Sequence, residues 1–192
     1  FSRREVFIDA NNGEVVWEQN KIHHTDVIGT ASTLYSGTQT IVSDDASGPF
    51  RLRESGRGNG IITYSNGNTT NYSTADITNG SANWTTPDAA LDAHWGAEMT
   101  YDYFLNEHGR NSIDGNGFAL ISHVHHDNNY QNAFWGGQRM TYGDGNNNNA
   151  PLTSLDIAGH EIAHGLTSNT ASLIYQDESG ALNESFSDIF GN

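Results

Sequence analysis

The five residues HEIAH, at 160–164, constrain the fold of this chain more than any other stretch. An α-helix turns once every 3.6 residues, so residues four apart lie one above the other on the same face. On a helix, His160 and His164 therefore point two imidazoles at one place. Glu161 lies about 100° around the helix axis. Its carboxylate therefore lies beside the point where the two imidazoles converge. A base that acts on water at a metal site occupies this position.

The residues around HEIAH favour a helix over about 155–168. Ser154 or Thr153 suits the N-terminal cap, and Asp156 puts negative charge in the first turn, where the helix dipole favours it. The apolar residues flanking the motif predict that the helix is buried. The competing interpretation is an exposed or capping pair of histidines, because a motif match alone carries a false-positive risk.

A catalytic zinc ion needs a third protein ligand, since such sites combine three protein ligands with one open position. The chain has no cysteine, so that ligand is a histidine or a carboxylate. Glu184, in GALNESFSD, is the best candidate, twenty residues after His164 (184 − 164 = 20). It falls on another predicted helix, and two helices packed side by side would complete the site. Asp177 and Glu178 are credible rival ligands.

Zinc-binding histidines usually donate their second ring N–H to an acceptor. Asp188 lies four residues after Glu184, on the same helix face. We expect Asp188 to accept this hydrogen bond from one of the two histidines and Asn183 to accept it from the other.

The charge balance narrows the range of partners. The chain has 23 acidic and 8 basic residues and a net charge of −15. Duplex nucleic acid and anionic membrane surfaces require clustered Lys and Arg, so we expect neither as a partner. An acidic surface rich in oxygen ligands suits solubility and, to a lesser degree, calcium binding.

The first half of the chain predicts mainly strands. The turn signal NNG separates two apolar-rich runs over 5–18, which indicates a hairpin. The polar residues 20–26 predict a linker. Residues 27–86, rich in Thr, Ser, Asn and Gly, predict short strands and turns.

A long helix is predicted over 85–109, with Thr86 as its cap, Pro87 in its first turn and Gly109 at its end. Leu91, Trp95 and Met99 recur every four residues and mark its expected buried face. The remaining predicted elements are a strand over 118–124, a strand pair or a strand with a turn over 133–145, a polar loop over 146–149, and a helix beginning near Ser179.

A second group of histidines lies in HVHH, at 123–126. Alternation along a strand would place His123 and His125 on one face. Hydrogen-bonded or exposed histidines are the favoured interpretation, and a second metal site is the alternative.

HEIAH followed by SLIYQDESGALNESFSDIFG resembles the thermolysin family of zinc metalloendopeptidases. DAHWGAEMTYDYF, NNYQNAFWGGQRMTYGDG and PLTSLDIAGHEIAH are similar in kind, so the resemblance covers roughly 88–192 and is weak over 37–86. It implies an α+β fold, in which a strand-rich N-terminal lobe is joined by a long helix and the zinc-binding helix.

The resemblance also implies a role for each matching residue. For the chemistry, it implies zinc ligation by His160, His164 and Glu184, a general base at Glu161, orientation of the histidines by Asp188 and Asn183, and oxyanion stabilisation by Tyr175. For the substrate, it implies backbone binding by Asn132 and Ala133, and a pocket lined by Leu152 and Ile157 for a bulky hydrophobic residue after the scissile bond. Asp156 resembles a ligand of the family's calcium site.

VFIDANNGEVVWEQNKIHHTD resembles the last hairpin of the family's propeptide. We therefore expect residues 1–26 to be the end of a propeptide and 27–192 to be the N-terminal catalytic domain. The alternative is that 1–26 is an extra hairpin of that domain. In the family a C-terminal helical domain follows, which we expect to lie outside this chain.

The resemblance as a whole implies a secreted, extracellular zymogen that hydrolyses polypeptides. It implies Zn²⁺ as the catalytic cofactor and Ca²⁺ as a structural ion of the full-length enzyme. The propeptide and the C-terminal domain would be the partners of the catalytic domain. The alternative is a zinc-binding but catalytically incomplete domain that needs a C-terminal domain or a partner chain.

Overall fold

The computed structural model describes residues 4–20, 25–45 and 48–192, and within them it is a mixed α and β fold. The strands are β1 (Arg4–Ile8), β2 (Val15–Asn20), β3 (Thr25–Ser32), β4 (Thr38–Asp45), β5 (Phe50–Arg51), β6 (Arg53–Glu54), β7 (Ile61–Thr69), β8 (Thr78–Asn79), β9 (Asn83–Trp84), β10 (Leu120–His126), β11 (Ala133–Trp135) and β12 (Met140–Tyr142). The α-helices are α1 (Asp88–His108), α2 (Leu155–Ser168) and α3 (Asp177–Gly191), and a short 3₁₀ turn spans Asn146–Asn148.

The predicted hairpin forms from β1 and β2, which pair antiparallel with each other as a separate two-stranded sheet. The rings of Phe7 and Trp17 lie 5.2 Å apart on one face of it. The predicted linker is shorter than expected, because β2 extends to Asn20 and β3 already begins at Thr25. Residues 21–24 of that prediction lie outside the described residues.

Two five-stranded sheets make up the strand-rich lobe. The first has the order β8-β5-β4-β3-β9, and the second has the order β11-β12-β10-β7-β6. In the second sheet, β10 runs parallel to both β7 and β12, while β11 pairs antiparallel with β12. This arrangement confirms the α+β class and leaves β11 as an edge strand.

The long helix α1 ends as predicted and begins differently. Gly109 ends it in the left-handed conformation, with φ of 62°, and its N–H donates to the carbonyl of Leu105. The prediction that Thr86 caps the helix is wrong, since Pro87 holds the cap position and no side chain bonds there. Asp88 opens the first turn, and its carboxylate accepts the N–H of Ala89.

The buried surface of α1 is wider than the predicted face of Leu91, Trp95 and Met99. Trp95 and Met99 are only partly buried, whereas His94 and Glu98 are almost completely buried. The reason is tertiary, because α1 packs against strands of both sheets and against α2. The ring of His94 links the two sheets, with Nδ1 3.0 Å from the hydroxyl of Thr63 and Nε2 3.0 Å from the carbonyl of Val42.

Small residues let the helices approach each other closely. A Cβ on Gly96 of α1 would lie 2.7 Å from the Cβ of Ala158 on α2. A Cβ on Gly159 would lie 3.2 Å from the Cα of Gly191 on α3. Close packing at these glycines brings α3 alongside α2, as the two-helix prediction requires.

Candidate metal centre

Three side chains from α2 and α3 converge on one point. The Nε2 atoms of His160 and His164 lie 3.0 Å apart. Oε2 of Glu184 lies 3.3 Å from Nε2 of His160, and Oε1 lies 3.6 Å from Nε2 of His164. The ligand atoms of these three side chains all lie within 4.8 Å of one another. No other group of three or more His, Cys, Asp or Glu residues among the described residues meets this criterion. The rival ligands Asp177 and Glu178 are not among the three side chains.

The donor set fits a zinc ion. Tetrahedral zinc with ligand distances near 2.0 Å separates its ligand atoms by about 3.3 Å, close to the separations seen here. Two imidazole nitrogens and a carboxylate are also the ligand types of catalytic zinc sites. Lone pairs gathered this closely repel one another unless a cation or a shared proton lies between them, which is a physical reason to place a metal there.

Residues of α3 accept hydrogen bonds from the Nδ1 atoms of both histidines. Oδ1 of Asp188 lies 3.0 Å from Nδ1 of His160, and Oδ1 of Asn183 lies 2.8 Å from Nδ1 of His164. An N–H at each Nδ1 donates to these oxygens, which leaves each Nε2 with a free lone pair. The predicted orienting residues therefore contact the predicted ligands.

Ser187 was missed by the sequence reasoning. Its hydroxyl oxygen lies 3.0 Å from Nδ1 of His164, and the residue is completely buried. The signal was present, because Ser187 follows Asn183 by four residues and so shares its helix face.

Glu161 lies beside the three ligands in a buried position, with 6% of its surface exposed. Burial raises the pKa of its carboxyl to about 7, and the nearby charge of Glu184 acts in the same direction. The charge of His160 and the backbone N–H of Trp135 oppose this rise. A carboxylate with such a pKa is suited to accept a proton near neutral pH.

Two cavities adjoin this group. The first, of about 290 Å³, contains the predicted pocket residues Leu152 and Ile157, together with Asp156. The second, of about 500 Å³, contains Tyr175 and Glu184. Both are lined by Asn132 and Ala133 of the β11 region and by His160 and Glu161. The four residues expected from the sequence to contact substrate therefore line cavities next to His160 and Glu161.

Tyr175 and Asp156 have contacts that the sequence did not specify. The hydroxyl of Tyr175 donates to Oε1 of Glu184, while the side chain is largely exposed. The carboxylate of Asp156 accepts a hydrogen bond from the hydroxyl of Ser154, the N-cap residue of α2. Within the part of the chain that the structure describes, Asp156 joins no converging group of three metal-binding side chains.

The HVHH stretch does not put His123 and His125 on one face. His125 has φ of 54°, and the pairing of β10 with β7 shifts between Val124 and His126. Nδ1 of His123 lies 3.0 Å from Oδ1 of Asn66, whereas Nδ1 of His125 lies 2.7 Å from the carboxylate of Asp144. These histidines are hydrogen-bonded, as the favoured interpretation expected.

None of the helices among the described residues combines the length and the apolar character needed to cross a bilayer.

Comparison with known proteins identifies relatives along almost the whole chain. The family model of the thermolysin metallopeptidase catalytic domain matches residues 28–168, and that of the thermolysin metallopeptidase alpha-helical domain matches residues 171–192. A bacillolysin of Brevibacillus brevis is 45% identical over 96% of this chain and 35% of its own length. A transglutaminase-activating metalloprotease of Streptomyces mobaraensis is 41% identical over 98% of this chain and 25% of its own length.

Among solved structures, the precursor of protealysin, a metalloproteinase from Serratia proteamaculans, is similar with a TM-score of 0.59 and 38% identity. The match covers 68% of this chain and 41% of that one. This chain spans about a third of the length of bacillolysins that it matches, from 35% to 37%.

Proposed function

Because the chain belongs to the thermolysin family of metallopeptidases, we propose that it acts as a zinc-dependent endopeptidase. The observation that carries this proposal is the convergence of His160, His164 and Glu184 beside the buried Glu161. The three convergent residues would hold the ion, with Asp188 and Asn183 fixing the orientation of the two rings. When bound, zinc polarises the scissile carbonyl and makes water more acidic.

Glu161 is the proposed general base. Its carboxylate accepts a proton from the attacking water and later gives that proton to the leaving amine nitrogen. The raised pKa supports this role, since a group of pKa about 7 both takes up and releases a proton near neutral pH. The N–H of Trp135 keeps the carboxylate oriented at the end of β11.

Substrate would lie along β11, the edge strand of the second sheet. Asn132 and Ala133 border both cavities and are proposed to bind the peptide backbone. Tyr175, beside Glu184, is proposed to donate its hydroxyl to the oxyanion, which typically stabilises a transition state by a few kcal/mol.

Leu152 and Ile157 support a preference for a bulky apolar side chain on the leaving-group side. Both lie in the cavity of about 290 Å³ next to Glu161. A side chain of leucine size that leaves water in such a cavity contributes roughly 1.5–3 kcal/mol.

One observation favours the second candidate, a zinc-binding domain that needs a further domain or partner to be active. Large apolar side chains on α3 are exposed, namely Leu182, Phe186 and Ile189. An exposed apolar face beside a metal site is typical of a docking surface. A propeptide end at 1–26 and a catalytic domain from 27 are part of the proposal. The chain was expected to stop before the family's helical domain, but residues 171–192 are similar to that domain.

Extracellular secretion and structural calcium are further parts of the proposal. They follow from the resemblance of the sequence to the family. Asp156 is the residue we propose for calcium.

The deciding experiment measures zinc content and cleavage by the 192-residue chain. The substrate is a blocked dipeptide amide with a bulky apolar residue on the leaving side. One bound zinc, and cleavage lost both with chelator and in Glu161→Gln, would support the endopeptidase. One bound zinc without cleavage would support the second candidate. Absence of zinc binding would reject both.

A further inference from the structure

A tyrosine in a loop of the first sheet bonds to the residue next to Leu152, which lines the first cavity. Tyr35 lies in the loop between β3 and β4, and its hydroxyl donates to the carbonyl of Pro151 at 2.7 Å. The two residues are 116 positions apart in the sequence. The bond therefore connects the first sheet to the segment that leads into α2.

The loop that carries Tyr35 is anchored to α1. The buried carboxylate of Asp92 accepts the N–H of Leu34 at 2.5 Å and the N–H of Tyr35 at 3.3 Å. The hydroxyl of Thr33 also donates to the carbonyl of Gly37 and closes the turn. Tyr35 thus extends from a backbone whose position the core determines.

The peptide group between Pro151 and Leu152 makes hydrogen bonds through both its carbonyl and its N–H. The carbonyl of Pro151 and the N–H of Leu152 belong to the same planar unit. That N–H donates to the carbonyl of Gly143 at 2.9 Å, and the N–H of Gly143 donates to the carbonyl of Asn132 at 3.0 Å. Hydrogen bonds at both ends fix the rotation of the plane, and with it the direction of the Leu152 side chain.

Leu152 lines the first cavity together with Ala133, Ile157 and Glu161. We propose that Tyr35 is a positioning residue for substrate selectivity, because its bond to Pro151 aims Leu152 into the pocket for the bulky leaving-side residue. This inference rests on the proposed function, in that it assigns a substrate side chain to that cavity. Without the hydroxyl, the Pro151–Leu152 plane is held at one end and the pocket wall loses its fixed shape.

The test compares Tyr35→Phe with the native chain, both loaded with zinc. The probes are two zinc-binding hydroxamates that are identical except for one leaving-side side chain, isobutyl in one and methyl in the other. Their affinities are measured by calorimetry. Tyr103→Phe is the matched control, since it also removes a hydroxyl from a half-exposed tyrosine, at a site on α1 where the bond is to His108.

We expect the native chain to prefer the isobutyl compound. In Tyr35→Phe that preference should fall by roughly three- to tenfold, the scale of one hydrogen bond. Affinity for the methyl compound and for zinc should not change, and Tyr103→Phe should match the native chain. A native preference that Tyr35→Phe retains would overturn this inference and leave the proposed function intact. A native chain without any preference would instead count against the proposed pocket itself.

Hydrogen exchange at the Leu152 amide provides a readout that does not depend on ligand binding. It should be faster in Tyr35→Phe than in the native chain, while the amides of α1 remain as protected as before. Unchanged exchange at Leu152 would mean that the tyrosine does not hold the peptide plane.

Discussion

Oδ1 of Asn183 lies 2.8 Å from Nδ1 of His164, although the two residues are nineteen positions apart. An amide oxygen only accepts hydrogen bonds, so this contact places the ring proton on Nδ1 and frees Nε2 for a metal. Asn183 is buried, so water cannot easily take over its role. Asn183 of α3, with the hydroxyl of Ser187 beside it, thus sets the tautomer of a histidine on α2.

Replacement of Asn183 by alanine should weaken zinc binding. Loss of such an orienting partner typically costs 10- to 100-fold in metal affinity, and zinc competition against a chelator would measure it. Glu178→Ala is the matched control, because Glu178 is an exposed acidic residue of the same helix that lies outside the ligand group. Equal zinc affinity in both variants would mean that Asn183 does not orient His164.

Replacement of Arg57 by methionine should destabilise the protein, and more at high pH than at low pH. Arg57 donates to Asp102 through Nε and Nη2, both at 2.8 Å, and its Nη1 lies 3.3 Å from Glu98. Burial raises the pKa of Glu98 to about 8, opposed by the Val42 N–H and the charge of Arg57. Without Arg57, ionisation of this buried carboxyl becomes still less favourable.

The direction of this pH dependence follows from the linkage between proton binding and folding. A raised folded-state pKa contributes stability that is complete below 4.5 and is lost as the pH rises through about 8. Removal of Arg57 should therefore cost more at pH 9, where Glu98 ionises in the native chain, than at pH 5, as measured by urea unfolding. The double variant with Glu98→Gln should lose this extra cost at pH 9, because glutamine does not ionise. A loss that does not depend on pH would contradict this account.

His94 should make the protein less stable in acid. Burial lowers the pKa of His94 from 6.5 to about 4, and the charge of Arg57 adds to this. The unfolded chain then binds the proton more tightly, so stability is lost as the pH falls from 6.5 towards 4, by up to roughly 3 kcal/mol. His94→Gln, which keeps a donor for the carbonyl of Val42, should flatten this dependence.

Urea unfolding at several pH values, with chelator present to exclude metal effects, checks the slope. His108→Gln is the control, since His108 is an exposed histidine of the same helix. Parallel stability curves for the native chain and His94→Gln would rule out His94 as the source.

Gly96→Ala should destabilise the fold through the α1–α2 contact. The new methyl would meet the Cβ of Ala158 at 2.7 Å, which is closer than two carbons approach. Overpacking costs about 1–3 kcal/mol, of which better helix propensity offsets up to about 1 kcal/mol. A second change, Ala158→Gly, should relieve the clash, so the double-mutant cycle should show coupling. Gly80→Ala is the control, because a Cβ there meets open space; similar costs at both glycines would disprove a specific contact.

The sequence determined the local part of this protein. The spacing of HEIAH placed two imidazoles on one face of α2, because helix geometry depends only on local hydrogen bonds. The NNG turn determined the first hairpin, and Gly109 determined the end of α1, for the same reason. The α+β class was expected from the resemblance to the thermolysin family rather than from these local signals.

Tertiary packing decided which residues of different elements come into contact. Asp177, Glu178 and Glu184 are all carboxylates of α3, and they differ along its axis by up to about 10 Å at 1.5 Å per residue. Only the position of α3 against α2, set by close contact at Gly159 and Gly191, selects Glu184. Three other features also depend on contacts between residues far apart in the chain. They are the burial of α1 on several sides, the bulge at His125 and the bond from Tyr35 to Pro151. Such contacts leave no periodic signal in a single sequence, because their energy comes from shape and burial that exist only after the elements pack.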